Sequence, residues 1–172
     1  VYLCGRPLHN RGRCTLGRET AIQKMIWGED DWLRTVDGQG IPTVETPTPS
    51  LPAHAFPATP AREEFNSPQL PIGFQWLRTP WPQEIFSLTA RPGFLRLLGR
   101  ETIGSPFKQS LVARRQQAHC FSAATVIEFE PEHFQQSAGL VCYYNGAKFH
   151  YLHLSHEETL GKYLRVMSCV PD

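Results

Sequence analysis

Apolar and polar side chains alternate along several short segments in the second half of the chain. Within residues 125–130, Thr, Ile and Phe share one face and Val and two Glu residues share the other, as in a half-buried β-strand. Residues 140–144 are apolar on both faces, which predicts the central strand of a packed double layer. Asn-Gly at residues 145–146 is a hairpin signal, because both residues accept a positive φ. With further strands at 148–155 and 164–169, the pattern predicts an all-β chain containing a β-sandwich.

The first third of the chain has a different organisation. Residues 1–36 contain short extended segments and the turn signal Gly-Glu-Asp-Asp at 28–31, which predicts a hairpin. Residues 37–63 contain six prolines, and each fixes φ and removes a backbone donor, so a semi-rigid linker is predicted there. Residues 64–172 are predicted to hold the sandwich, in truncated form because the strand count is low for a closed one. Its other candidate strands are residues 85–90, 94–98 and 110–114.

The composition of the chain excludes only a few classes of function. The chain has 172 residues, 41% of them hydrophobic, and a formal net charge of +1, so neither a nucleic-acid partner nor an anionic membrane is expected. The five cysteines are odd in number and widely spaced, which favours a reducing, cytoplasmic location over a disulfide framework. The chain opens at Val1 directly into strand-like sequence, and we expect it to be cut at both ends.

Several stretches resemble the β-xylosidases of glycoside hydrolase family 43. CGRPL at residues 4–8 and RGRCTLGRETAIQ at 11–23 resemble the last propeller-blade region of that family. Later segments resemble, in the right order, the lectin-like sandwich that follows the propeller. These are Phe65, Leu-Pro at 70–71, FQWLR at 74–78, FQQSAGLV at 134–141 and YYN at 143–145.

The resemblance implies a fold, an activity and a mechanism. The fold is a five-bladed β-propeller followed by a concanavalin A-like β-sandwich, with residues 1–36 forming part of the last blade. The activity is release of xylose, or arabinose, from the ends of short oligosaccharides with inversion, which needs one carboxyl group as acid and a second to activate water. In the family these carboxylates lie on earlier blades, so no catalytic residue is assigned here and the chain alone is predicted to be inactive.

Arg18 is the one substrate-binding residue that the resemblance transfers. The arginine of the Gly-Arg-Glu-Thr motif projects into the family's sugar pocket, and a guanidinium offers a rigid fork of donors to hydroxyls or a carboxylate. A structural salt bridge between blades is the alternative, and the motif favours the site role. Glu19 shows no feature of the catalytic acid. Arg6, Arg11 and Arg13 are predicted to make surface or inter-blade contacts.

Other residues that could bind a metal, act as a nucleophile or stack on a sugar have simpler structural explanations. His150, His153 and His156 suggest a metal site, but a strand places His153 on the opposite face from the other two. Solvent-facing or interface histidines are predicted instead, with no metal site and no cofactor. Cys14 is predicted to be a small buried residue. A sugar-stacking platform is a minor hypothesis for five aromatic residues, because aromatic residues in a sandwich more often pack in the core: Trp76, Trp81, Tyr143, Tyr144 and Tyr151.

The sequence therefore leaves two functions of different classes open. The first is a piece of an exo-acting glycoside hydrolase that binds xylo-oligosaccharides through its pocket, with a homo-oligomer left open by the family resemblance. The second is a non-catalytic carbohydrate-binding β-sandwich. Residues 1–36 discriminate between them, because a stand-alone sandwich has no use for a propeller strand that carries a pocket arginine.

Overall fold

The computed structural model describes residues 1–10 and 12–170, and the chain divides into two compact units. The first comprises Val1–Pro60 and Gln116–Phe121, and the second comprises Ala61–Arg115 and Ser122–Asp172. Among the described residues, regular structure consists of β-strands and a single 3-10 turn at Pro82–Glu84, so the predicted all-β class is confirmed. No helix in these ranges is long and apolar enough to cross a membrane.

The first unit is built from two antiparallel strand pairs. β1 (Tyr2–Cys4) pairs with β2 (Glu19–Ala21), and β3 (Met25–Trp27) pairs with β4 (Leu33–Thr35). Strands of three residues provide few ladder hydrogen bonds, so side chains and turns must contribute to the order of this unit.

The β3–β4 connection confirms the hairpin predicted at residues 28–31. The Gly28 amide donates to the Trp32 carbonyl at 2.8 Å, and Asp31 adopts the left-handed conformation with φ of 59°, which Asp tolerates better than most residues. A bidentate pair between Asp30 and Arg34, with both N–O distances at 2.5 Å, spans the turn. The turn is therefore closed by backbone and side-chain contacts together.

The proline-rich segment contains no helix or strand between residues 36 and 60. Its first part is tied back to the unit that precedes it. The Gly40 amide donates to Thr35 Oγ1 at 2.9 Å, and the Thr43 amide donates to Gln23 Oε1 at 3.3 Å. These contacts connect residues 40–43 to the first unit, which extends to Pro60.

Within the described residues, the second unit contains seven strands in three antiparallel groups. The half-buried rings of Trp76 and Phe86 lie 5.5 Å apart in this unit. Two groups are strand pairs: β5 (Phe74–Trp76) with β8 (Val112–Arg114), and β6 (Phe86–Ser87) with β7 (Arg96–Leu97). The third group is a three-stranded sheet of β9 (Ala138–Asn145), β10 (Lys148–Glu157) and β11 (Gly161–Cys169). Its strand order is β11-β10-β9.

Two details of the predicted strand pattern are wrong. Residues 125–130 pair with no strand in the described part of the chain, although Ile127 and Phe129 are half-buried as the alternation predicted. Their outward neighbours Glu128 and Glu130 instead make ion pairs with Arg91 and Lys162. In addition, β9 lies at the edge of its sheet and β10 is central, because β10 pairs on both sides whereas β9 pairs only with β10.

The hairpin predicted at Asn145 and Gly146 forms, but by a different mechanism. Neither residue has a positive φ. The Asn145 side chain accepts the Ala147 amide at 2.9 Å, and the register shifts between Lys148 and Phe149. A side-chain cap and a β-bulge thus take the place of the expected turn.

β9 and β10 approach each other unusually closely at Gly139. Gly139 is paired with His153, and a Cβ at Gly139 would lie 2.6 Å from the His153 Cα and collide with the backbone of Leu152. Only glycine fits such an approach.

The two faces of the three-stranded sheet differ in burial. Phe149, His153 and Ser155 face inward on β10 with exposed fractions of 5, 3 and 1%. On the other face, Leu164 and Val166 remain 63 and 61% exposed. The apolar side chains on this outer face of the sheet are therefore uncovered.

Candidate functional site

A tight turn directs the chain into β2, where the predicted site residue lies. The Gly17 amide donates to the Cys14 carbonyl at 3.1 Å, and Gly17 has a φ of 78°, which glycine adopts without a steric penalty. Leu16, only 5% exposed, anchors the turn in the first unit. The residue that follows, Arg18, is thus held at the exit of a fixed turn.

Arg18 is exposed, and exposure alternates from this residue into the strand. Arg18 and Thr20 are exposed, whereas Glu19 and Ala21 are half-buried. Because successive side chains of an extended segment point to opposite faces, Arg18 shares the exposed face with Thr20. Its guanidinium makes no hydrogen bond or ion pair with any residue that the structure describes. A cationic fork of donors is therefore available to a ligand.

Glu19 is engaged by Arg6 across the β1–β2 pair. Arg6 Nε donates to Glu19 Oε2 at 2.6 Å and Arg6 Nη2 donates to Glu19 Oε1 at 2.8 Å, which is the bidentate geometry that suits a guanidinium and a carboxylate. The β1–β2 register places Cys4 opposite Glu19, so Arg6 reaches over from just beyond the end of β1. Arg6 Nη2 also donates to the Gln117 carbonyl at 3.4 Å.

The pair with Arg6 also affects the charge state of the Glu19 carboxyl. The hydrogen bond from Arg6 lowers the pKa of the Glu19 carboxyl below its ordinary value. A glycosidase acid requires the opposite, a raised pKa that keeps its proton near neutral pH. Arg6 thus makes an ion pair within the first unit, while Arg11 lies outside the described residues.

Cys14 is exposed rather than buried, so the prediction of a buried role is wrong. Its position in the turn explains the difference, because its carbonyl closes the turn while its side chain lies over Gly5. A Cβ at Gly5 would lie 3.0 Å from the Cys14 Sγ. Gly5 therefore provides the space that this thiol occupies.

The three histidines of β10 are divided between the faces of the sheet, as the alternation predicted. His150 is exposed and its Nδ1 lies 2.8 Å from Ser168 Oγ. His153 is 3% exposed on the other face, so of the two alternatives predicted for it, solvent-facing or interface, the solvent-facing one is wrong. Its ring stacks on Tyr151 at 4.9 Å and contacts the edge of Tyr163 at 6.3 Å. Among the described residues, no three His, Cys, Asp or Glu side chains are grouped to hold a metal.

The aromatic residues considered for sugar stacking do not form one platform. Trp76 is half-buried beside the ring of Phe86, and its Nε1 donates to the Thr79 carbonyl at 3.0 Å. The Tyr143 hydroxyl accepts a hydrogen bond from Gln109 Nε2 at 3.2 Å, whereas Tyr144, its neighbour on the opposite face, is 73% exposed. Trp81 is 58% exposed. Adjacent residues on a strand cannot present rings to the same ligand face.

A surface cavity in the second unit was not predicted from the sequence. Its volume is about 340 Å³. Its walls come from the segment before β9 and from the end of β10, which lie far apart in sequence, so only the fold brings them together. The lining residues are His133, Phe134, Gln135, Glu157 and Glu158.

Comparison with known proteins relates the whole chain to one family. Residues 62–172 match the model of the β-xylosidase C-terminal concanavalin A-like domain. A β-xylosidase of Bacillus subtilis (strain 168) is 46% identical over 98% of this chain and 33% of its own length. Xylosidase/arabinosidase 43B of Humicola insolens is 44% identical over 98% of this chain and 31% of its own length.

Solved structures give the same relationship. The crystal structure of xylan β-1,4-xylosidase from Bacillus halodurans C-125 superposes with a TM-score of 0.86 and 45% identity, covering 96% of this chain and 32% of that protein. The present chain thus spans about a third of the length of the relatives it matches. By its sandwich and by its similarity along nearly its full length, the chain belongs to the glycoside hydrolase family 43 β-xylosidases, whose C-terminal concanavalin A-like domain it carries.

Proposed function

We propose that this chain is part of an exo-acting glycoside hydrolase that releases xylose, or arabinose, from the non-reducing ends of xylo-oligosaccharides with inversion. The observation that carries the proposal is the 46% identity to a β-xylosidase over 98% of the chain. That match includes the first unit as well as the sandwich. A free-standing carbohydrate-binding sandwich would not need the first unit, so this observation favours the hydrolase.

Arg18 is the substrate-binding residue of this proposal. Three observations support it: the side chain is exposed, it follows a turn fixed by Leu16 and Gly17, and the neighbouring carboxylate of Glu19 is already occupied by Arg6. A guanidinium in this setting can donate to sugar hydroxyls, and it can keep a nearby aspartate ionised for general-base catalysis. The two catalytic carboxyl groups lie outside residues 1–172 in this proposal.

The organisation of the protein is part of the same proposal. Residues 1–36 form part of the last propeller blade, residues 37–63 a linker, and residues 64–172 the concanavalin A-like sandwich. This division is supported by the two short antiparallel strand pairs of the first unit and by the family match at residues 62–172. A cytoplasmic location follows from the odd number and wide spacing of the cysteines, and homo-oligomerisation is proposed from the family resemblance alone.

The test uses the longer protein that contains this chain and a nitrophenyl xyloside substrate. Arg18→Ala is compared with Arg13→Ala, a matched control because Arg13 is an exposed arginine of the same motif. Loss of a charge-assisted hydrogen bond costs about 1.5–3 kcal/mol, so we expect kcat/KM to fall about 10- to 150-fold for Arg18→Ala. The control is expected to stay within about twofold of wild type.

Two results would contradict the proposal. Wild-type kinetics for Arg18→Ala would remove this residue from the substrate pocket. Robust turnover by residues 1–172 alone would place the carboxylates inside this chain and overturn the assignment of the catalytic machinery.

A further inference from the structure

We propose that Arg6 is a positioning residue for the substrate-binding arginine: by holding Glu19 in a bidentate pair, it fixes the start of β2 and leaves the Arg18 guanidinium free for substrate. This inference rests on the proposed function of Arg18. It adds a second arginine that acts on the sugar only through its effect on the first.

The geometry of the pair restricts β2 more than a single contact would. Two parallel N–H···O bonds of 2.6 and 2.8 Å fix both the distance and the relative orientation of the Arg6 and Glu19 side chains. The third contact, from Arg6 Nη2 to the Gln117 carbonyl at 3.4 Å, holds the guanidinium from another direction. Arg6 therefore connects three chain segments of the first unit.

The restriction on β2 affects Arg18 because Glu19 is its direct neighbour in the chain. Glu19 is the first residue of β2 and Arg18 directly precedes it, so whatever sets the Glu19 side chain on one face sets Arg18 on the other. The β1–β2 pair has only three residue pairs, too few to hold a strand end firmly without help. The Arg6–Glu19 pair supplies that help at the residue next to the proposed ligand contact.

The Glu19 carboxylate is fully occupied within this pair. Both of its oxygens accept hydrogen bonds from Arg6, and the side chain lies on the face opposite Arg18. The pair therefore orients the strand end that carries Arg18 without using the Arg18 guanidinium.

A double-mutant cycle in the longer protein tests the coupling. Arg6→Ala is made in the wild-type and in the Arg18→Ala background, and kcat and KM are measured with a nitrophenyl xyloside. We expect Arg6→Ala to lower kcat/KM about tenfold in the wild-type background and less than about twofold when Arg18 is already absent. Arg6→Lys, which keeps the charge but loses the fork, is expected to restore only part of the loss.

A matched control and a second variant keep the test decisive. Arg62→Ala breaks another exposed arginine–glutamate pair, that of Arg62 with Glu64, and is expected to leave the kinetics unchanged. If Arg6→Ala fails to fold, Glu19→Gln takes its place in the same cycle, because it keeps the side-chain shape and one acceptor oxygen.

The outcomes distinguish a failure of the positioning role of Arg6 from a failure of the proposed role of Arg18. Equal losses from Arg6→Ala in both backgrounds, or no loss in either, would overturn the positioning role while leaving Arg18 as the substrate contact. A kinetically silent Arg18→Ala would instead refute the proposed role of Arg18 itself.

Discussion

Replacement of Ile85 by alanine tests whether the core of the sandwich lies where the structure places it. Ile85 follows the 3-10 turn, is 3% exposed, and its carbonyl accepts the Leu98 amide at 2.9 Å. Ile85→Ala removes three carbon atoms, and at about 0.8 kcal/mol for each the transfer cost is about 2.4 kcal/mol. The unfilled cavity raises the expected loss of unfolding free energy to about 2–5 kcal/mol.

Ile72→Ala is the matched control, because it is the same substitution in the same unit at a side chain that is 101% exposed. We expect it to change stability by less than about 0.5 kcal/mol. Urea denaturation followed by tryptophan fluorescence measures both variants, and Trp76, whose ring contacts that of Phe86 in the same unit, reports on its unfolding. Equal shifts of the unfolding midpoint for the two variants would refute this assignment of the core.

Two further predictions concern the three-stranded sheet. Gly139→Ala is expected to destabilise the second unit, because the new Cβ would lie 2.6 Å from the His153 Cα. The control is Gly99→Ala, where a new Cβ would meet nothing within 4 Å; it should be neutral or stabilising by up to about 1 kcal/mol. Thermal unfolding that shows Gly99→Ala as the less stable variant would contradict the close approach at Gly139. Glu157→Gln is expected to destabilise the chain at pH 7 and to have a progressively smaller effect in acid. Hydrogen bonds from the Thr159 hydroxyl and the Leu160 amide lower the pKa of the Glu157 carboxyl below its ordinary value, so its contribution is fully present above the ordinary value and is lost as the pH falls through the lowered pKa. An effect of the variant that stays constant across an acid pH series of urea titrations would argue against this charge-dependent role.

The sequence allowed the fold class and most strands to be predicted, because those depend on local patterns. The returning strand predicted at 148–155 corresponds to β10, and the turn signal at 28–31 corresponds to the β3–β4 hairpin. Residues 125–130 show the limit of such reasoning, since alternation predicts which side chains are inward but not whether a partner strand exists. The central or edge position of β9 depends on the same non-local pairing.

The candidate site was predictable only in part. Arg18 was identified by the resemblance of its motif, and the face on which it lies follows from strand alternation. The Arg6–Glu19 pair could not be found from spacing, because the two residues are thirteen positions apart and meet only through the β1–β2 register. His153 was placed on the correct face but its burial between Tyr151 and Tyr163 depends on neighbouring strands.

The discontinuity of the first unit has a consequence for synthesis on the ribosome. Residues Gln116–Phe121 belong to this unit although they are made long after Pro60, and one of them, Gln117, supplies the carbonyl that meets Arg6. When residues 1–60 leave the exit tunnel, this unit stays incomplete until about sixty more residues have been translated. At about 5–20 residues per second, that interval lasts about 3–12 seconds, during which Arg6 lacks the carbonyl of Gln117.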